Sequence, residues 1–134
     1  MKKDINPPKV ENVAFAVVQE KNEHDEDIWN VYVVNLKDEP LESALVSATG
    51  YGELDGDMKK TTTLRYFLGD VKANSFTLIE PIMEDVFSLH NEYWLTFYNN
   101  KVLHDKKYIF LAESIKQEHL TDIPLINKKG VLIQ

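Results

Sequence analysis

Apolar and polar side chains alternate residue by residue along most of the chain, which is the pattern of β-strands. Seven predicted strands carry the pattern: 13–18, 28–35, 43–49, 61–68, 75–80, 92–99 and 102–111. In the first strand both alternating sets are apolar, so we expect it to be covered on both faces. Short strands at this regular spacing predict an all-β, antiparallel sandwich or barrel rather than a fold with crossover helices.

Turn residues separate these segments. Asp55-Gly56 is a common turn pair, and 99–101 (Asn-Asn-Lys) joins two strong strand patterns through a tight loop. Because Asn tolerates left-handed backbone angles, a β-hairpin is predicted at the second of these positions. About seven strands in roughly a hundred residues is the size of an immunoglobulin-like sandwich.

Two regions depart from the alternation. Residues 81–90 predict a loop with one helical turn, and 112–134 form a C-terminal appendage to a single domain that spans 1–134. Ser114 and Gln117 have the spacing of a capping box, which predicts a short helix that begins at Ser114 and stops before Pro124. The last residues are apolar and β-branched, so the appendage is predicted to be a short helix or an extended tail.

The appendage carries a large apolar load for a terminal segment. Leaving such side chains in water would forgo roughly 1.5–3 kcal/mol for each large one. The segment therefore packs either on its own domain or on a partner, and a terminal strand added to a neighbour's sheet edge would give a symmetric dimer.

An aromatic run at 93–98 raises the same question, because alternation places Trp94 and Tyr98 on the face opposite Tyr93 and Phe97. One set lines the core, and the other is either covered by the tail or free for a partner. Tyr and Trp are enriched at binding hot spots. The candidate interaction surface therefore combines both regions: Trp94, Tyr98, Leu120, Ile123, Leu125, Val131 and Ile133.

Composition narrows the classes of function. The 134 residues include no cysteine, which excludes disulfides, thiolate metal sites and thiol nucleophiles. The formal net charge of −7 disfavours nucleic-acid binding, although scattered lysine pairs leave a local basic patch open. The N-terminal MKKDINPPKV lacks the apolar region of a signal peptide, and no apolar run is long enough for a membrane span. The expected location is the cytoplasm.

No pattern of catalytic or metal-binding residues stands out. The acidic segment 20–27 (EKNEHDED) and the segment 53–57 lack the ligand spacing of a calcium loop, and the four histidines form no zinc motif. There is no G-x-S-x-G elbow and no phosphate-binding glycine loop. We therefore expect a protein that is not an enzyme and uses no cofactor or metal.

One stretch resembles a known fold family. Residues 31–46 (VYVVNLKDEPLESALV) look like the strand, N-x-x-D-x-P-L, strand corner of immunoglobulin-like and fibronectin-like sandwich modules. In those modules the Asn and Asp cap the corner, and Pro-Leu enters the next strand. The resemblance covers about one eighth of the chain and implies a β-sandwich, but no activity.

The whole chain also resembles small bacterial immunoglobulin-like proteins, some of them labelled phenylalanyl-tRNA synthetase subunits. The sequence does not support that label, because a class II catalytic core is much longer and uses several arginines, whereas Arg65 is the only arginine here. At most the label implies an accessory β-domain. Three functions therefore stay open: a protein-interaction or self-association module, a small-ligand or carbohydrate binder that stacks on Trp29, Trp94 and Tyr98, and such an accessory domain.

Overall fold

The computed structural model describes residues 8–134, which form two antiparallel β-sheets and contain no α-helix. Alternating apolar side chains place one face of each sheet inward, so the two sheets pack face to face. The strands are β1 (Val13–Lys21), β2 (Asp27–Asn35), β3 (Leu41–Leu54), β4 (Asp57–Lys60), β5 (Leu64–Val71), β6 (Ser75–Pro81), β7 (His90–Asn99), β8 (Val102–Phe110), β9 (Thr121–Asp122) and β10 (Lys129–Ile133).

Sheet A has the strand order β6-β2-β1-β10-β9. In sheet B the long strand β3 pairs with β7 on one side, and β7 pairs with β8. On its other side β3 pairs with β5 along its first part and with β4 along its last part. The core between the sheets is built from large side chains of both, including Phe15 and Val31 of sheet A and Tyr93, Leu95 and Phe97 of sheet B.

All seven predicted strands are present, and β4, β9 and β10 are additional. The hairpin between β7 and β8 turns at Asn100 and Lys101, both with positive φ, as predicted. The glycine-rich segment after Thr49, predicted as a break, instead continues β3 to Leu54 and returns as β4 through the turn at Asp55. The fourth predicted strand begins only at Leu64, because residues 61–63 form the step by which the chain moves from one half of β3 to the other.

The corner between β2 and β3 is held by the fully buried Asn35. Its amide nitrogen donates to the carbonyl oxygens of Glu39 at 2.9 Å and Lys72 at 3.0 Å, and its Oδ1 accepts from the backbone N–H of Lys37. This side chain therefore ties the β2–β3 corner to the turn that joins β5 to β6. Leu41, the first residue of β3, is also fully buried.

The helix predicted to begin at Ser114 is absent. The Ser114 hydroxyl donates to the Leu111 carbonyl at 2.6 Å instead of capping a helix, and the only helical turn in this region is a 3-10 helix at Gln117–His119. The extended alternative is the one observed, because β10 pairs with β1 in the middle of sheet A. The helical turn predicted within 81–90 is a 3-10 helix at Glu84–Val86.

Residues 123–128, between β9 and β10, lie across the outer face of sheet A. Ile123 packs there against three fully buried small side chains of β1: Ala14, Ala16 and Val18. Both faces of β1 are therefore covered, one by the inter-sheet core and the other by the chain's own tail. This explains why its alternation is apolar on both sides.

Most of the N-terminal segment used to argue against a signal peptide, including Lys2 and Lys3, lies outside the described residues. Within residues 8–134, no helix has the length and apolar character needed to cross a membrane.

Candidate functional site

The outer face of sheet B carries two complete rows of cross-strand neighbours. One row runs from β5 to β8 as Arg65, Ser47, Trp94 and Lys107. The adjacent row runs in the same strand order as Phe67, Leu45, Thr96 and Asp105. Side chains directly opposite each other on neighbouring strands lie about 4.5–5.5 Å apart at Cβ, so each row forms a continuous strip across the face.

Large apolar side chains on this face are exposed. The exposed fraction is 72% for Phe67, 41% for Trp94 and 44% for Tyr98, and Leu45 and Leu103 are exposed as well. Tyr98 pairs with Leu103 across the β7–β8 ladder, beside the row that contains Leu45. The face therefore presents a contiguous apolar strip, which in soluble proteins marks an interaction site more often than chance.

The indole of Trp94 is held in place by its neighbours on β8. Its Nε1 donates to Asp105 Oδ2 at 3.2 Å, and the Lys107 ammonium lies 4.9 Å from the centre of its ring. Lys107 also lies 4.0 Å from the Glu92 carboxylate. These contacts hold the exposed part of the ring in one orientation.

A shallow depression of about 500 Å³ adjoins Trp94 on the same face. The Thr49 and Thr63 hydroxyls share a hydrogen bond of 2.8 Å at its floor. Burial, together with the neighbouring Glu92 carboxylate, raises the pKa of the Tyr51 hydroxyl. The remaining lining residues are Ser47 and Lys60. The depression thus combines one aromatic wall with polar side chains.

The structure separates the predicted surface residues into two groups. Trp94 and Tyr98 are exposed on sheet B, whereas Ile123 and Val131 are buried inside the chain's own fold at 1% and 8% exposure. Ile123 and Val131 therefore belong to the core and leave the candidate surface. Leu120 and Ile133 are half-buried against the inter-sheet core, and Leu125 is partly exposed on the segment that covers sheet A.

Trp29, predicted as a stacking platform, is also buried. Its Nε1 donates to Glu84 Oε2 at 3.0 Å, and its ring meets Phe87 edge to face at 5.4 Å. It is therefore part of the core and not of a surface platform.

Three residues of the exposed strip were not singled out from the sequence: Leu45, Phe67 and Leu103. The alternation along the sequence places each of them on a defined face of its strand. It does not show that these faces adjoin, because that depends on the pairing of β3 with β5 and β7 and of β7 with β8.

Among residues 8–134 no three His, Asp or Glu side chains gather in a way that could hold a metal ion. The acidic segment at 20–27 comprises the end of β1, a hairpin loop at 22–26 and the first residue of β2, and the loop is closed by Asn22, whose Oδ1 accepts from the N–H groups of His24 and Glu26. The chain matches no protein-family model and no curated protein.

Proposed function

We propose that this protein is a non-catalytic, cytoplasmic self-association module that dimerises through the outer face of sheet B. The observation that carries the proposal is the order of residues in the two adjacent rows on that face. Consider a twofold axis that lies parallel to the two rows and midway between them, and so perpendicular to the strands. This axis places the Trp94 row of one copy over the Leu45 row of the second copy, and the reverse. The two rows are complementary in that arrangement.

The pairs at the two ends of the rows show the complementarity. Lys107 of one copy meets Asp105 of the other, and Arg65 meets the ring of Phe67. The first is an ion pair and the second a cation–π contact, for which the guanidinium group is well suited. Between them Leu45 and Trp94 meet short side chains, which leaves room for both. The twofold axis repeats every pair, so each contact forms twice.

Charge favours this face over the rest of the surface. The whole chain carries a formal charge of −7, so two copies repel each other over most of their surfaces. The two cations in the Trp94 row, Arg65 and Lys107, are matched in number by the neighbouring acids Glu92 and Asp105. Two copies can therefore approach through this face without net repulsion.

The size of the face supports a weak dimer. Because four strands have three intervals of about 4.8 Å, the outer two strands lie only about 14 Å apart. A face of that width lies at the small end of specific protein interfaces, where association is transient. Dimerisation should therefore depend on protein concentration. It should also weaken at high salt, because salt screens the ion pairs between Lys107 and Asp105.

Sedimentation equilibrium of the full chain over a wide concentration range tests the proposal. We expect a monomer–dimer equilibrium that Asp105→Lys and Lys107→Asp each shift toward monomer, because each single variant places like charges opposite each other. A mixture of the two variants restores both opposite-charge pairs, so the mixed pair should associate at least tenfold more tightly than either variant alone.

Leu78→Ser is the matched control, because Leu78 is an exposed apolar residue on the outer side of sheet A. It should leave the equilibrium unchanged, whereas Leu45→Ser should weaken it. A wild-type chain that stays monomeric at millimolar concentration would overturn the proposal, and so would a mixture that associates no better than its components.

The finer fold assignment is also part of this proposal. We infer an immunoglobulin-like sandwich in which β1, β2 and β6 correspond to one sheet and β5, β3, β7 and β8 to the other. The support is strand order: β5 flanks β3 in the position of the extra strand of variable-type domains. Strands β9 and β10 extend the first sheet beyond that pattern.

Small-ligand or carbohydrate binding is the second candidate, favoured by the depression beside Trp94. Its polar side chains surround an aromatic wall, the combination found where proteins hold oriented polar ligands. Titration of the indole fluorescence with simple sugars and polyols, using Trp94→Phe as the second sample, tests it. A saturable change that Trp94→Phe abolishes would favour this candidate, and a flat response would reject it.

A further inference from the structure

A second cavity lies between the sheets, where β6 and the segment after it face β3 and the start of β7. It is a cleft of about 300 Å³ that opens where β3 exchanges β5 for β4 as its partner. The exchange leaves residues 61–63 outside both ladders, and the segment after β6 forms the facing wall. The cleft therefore results from the strand exchange and is separate from the proposed dimer face.

Glu80 places a carboxylate in this cleft. One carboxylate oxygen accepts from the Tyr66 hydroxyl at 2.6 Å, and the other accepts from the Tyr93 hydroxyl at 2.8 Å. Burial and the Glu80 charge raise the pKa of Tyr66 to about 12 and also raise that of Tyr93, so both hydroxyls remain donors at neutral pH. Within residues 8–134, no cationic side chain forms an ion pair with Glu80.

Asn91 adds a buried acceptor. It is 6% exposed, and its Nδ2 donates to the carbonyls of Val86 at 3.0 Å and Leu89 at 3.1 Å, which fixes the orientation of the amide. No donor from the described part of the chain reaches its Oδ1. Every side-chain polar atom that is fully buried in the described part of the chain has a hydrogen-bond partner. Because Oδ1 receives no donor from these residues, it is open to the cleft.

Gly50 keeps that oxygen accessible. A Cβ at position 50 would lie 3.4 Å from Asn91 Oδ1 and 3.1 Å from Thr61 Cγ2. The missing side chain is thus part of the shape of the cleft. Leu64, Ile82 and Val86 supply apolar walls, and the exposed Asp85 lies at the rim.

We propose that this cleft binds a primary ammonium group carried on an aliphatic stem. The ammonium has donors for Asn91 Oδ1 and a charge to offset Glu80 and Asp85, while the stem lies along the apolar walls. A volume of about 300 Å³ is at the small end of ligand sites, so it fits a single such chain. Free alkyl diamines and lysine side chains of a peptide share this chemistry.

Calorimetric titration of the full chain with 1,4-diaminobutane and, separately, with N-acetyl-lysine methylamide tests the proposal. We expect saturable binding of at least one probe, and the probe that binds identifies the source. The uncharged analogue 1,4-butanediol should not bind. Glu80→Gln and Gly50→Ala should each weaken binding at least tenfold, and Asp85→Asn should weaken it less, because Asp85 is exposed.

Glu118→Gln is the matched control, because Glu118 is an exposed acid in the tail and the substitution removes the same charge as Glu80→Gln. Thermal unfolding of each variant identifies any that fail to fold. If Glu80→Gln does not fold, the weaker binding expected of Asp85→Asn still tests the proposal. Two results would overturn the proposal: no saturable binding of either amine, or equal weakening by Glu118→Gln and Glu80→Gln. Neither result bears on dimerisation, which does not involve the cleft.

Discussion

The ammonium of Lys128 bonds to the carboxylate of Glu20, a residue 108 positions earlier in the chain. The other oxygen of that carboxylate accepts from Asn30 Nδ2 at 2.8 Å and from the Tyr32 hydroxyl at 2.7 Å. Burial alone would raise the pKa of Glu20, but these hydrogen bonds favour the charged form and lower it overall. The carboxylate therefore joins the tail to the β1–β2 hairpin, and this contact is strongest when Glu20 is ionised.

The first prediction concerns acid stability. Because the folded pKa of Glu20 lies below the ordinary value of 4.5, its stabilising contribution is complete above that pH and is lost as the pH falls through the folded pKa. Glu20→Gln should lower the free energy of unfolding at pH 7 by roughly 1–2 kcal/mol, and this difference should shrink in acid. Urea denaturation at a series of pH values measures it.

The comparison variant is Asp122→Asn, which breaks the exposed ion pair between Asp122 and Lys129. Exposed pairs contribute at most about 1 kcal/mol, so its effect should be small at every pH. If Glu20→Gln and Asp122→Asn behave alike, the contact between Lys128 and Glu20 does not stabilise the fold.

The second prediction concerns Gly130 in β10, which pairs with Val18 of β1. A Cβ there would lie 2.5 Å from the Val17 carbonyl oxygen and 3.1 Å from Ile123 Cγ1. The first neighbour is backbone inside a ladder, so it cannot move without disrupting β1. Gly130→Ala should therefore cost roughly 1–3 kcal/mol or more in the free energy of unfolding.

Gly50→Ala is the paired variant in the same denaturation experiment. The closest atoms to its new Cβ belong to the Thr61 and Asn91 side chains, which can shift. We expect a smaller loss than for Gly130→Ala, and the reverse order would contradict the packing described for the tail.

The third prediction tests how the tail covers sheet A. Ile123→Ala should cost roughly 2–5 kcal/mol, because it leaves a cavity against Ala14, Ala16 and Val18. Leu125, two residues away and 37% exposed, should tolerate the same change with a loss below about 1 kcal/mol. Thermal melts followed by circular dichroism measure both, and similar melting temperatures would argue against a buried role for Ile123.

The fourth prediction concerns a buried hydrogen bond between the sheets. The Tyr108 hydroxyl donates to the Val13 carbonyl at 2.8 Å. Tyr108→Phe removes the donor and leaves the carbonyl without that partner, so it should cost roughly 1–3 kcal/mol. Tyr98→Phe, made at an exposed position and measured at a concentration where the chain is monomeric, should have almost no effect.

Most of the strand pattern could be predicted from the sequence, because one face of each strand is buried and the alternation records it. The tight turn at Asn100 was also predictable, since its residue types suit positive φ. The strand segment Gly50–Leu54 could not be predicted, because glycine has a low strand propensity. The reason for a glycine at position 50 is the close approach of Thr61, which the sequence does not show.

The C-terminal region was harder for a different reason. Ser114 and Gln117 match a local helix signal, but Ile115 is drawn into the core and the chain continues as an irregular crossing. Long-range packing outweighs a local preference worth about 1 kcal/mol. The outer face of sheet B could be predicted only in part. The alternation indicates that Trp94 and Tyr98 share one face of β7, but the strand order is needed to place Phe67 and Leu45 beside them.

Strand β10 lies between β1 and β9, so the first described strand obtains one of its two lateral partners from the last described strand. A ribosome has to deliver β10 before sheet A can close. The emerging polypeptide therefore holds β1 with one edge unpaired until β10 has been synthesised, and such long-range pairings slow folding. In the cell, sheet A should therefore assemble only after β10 has emerged.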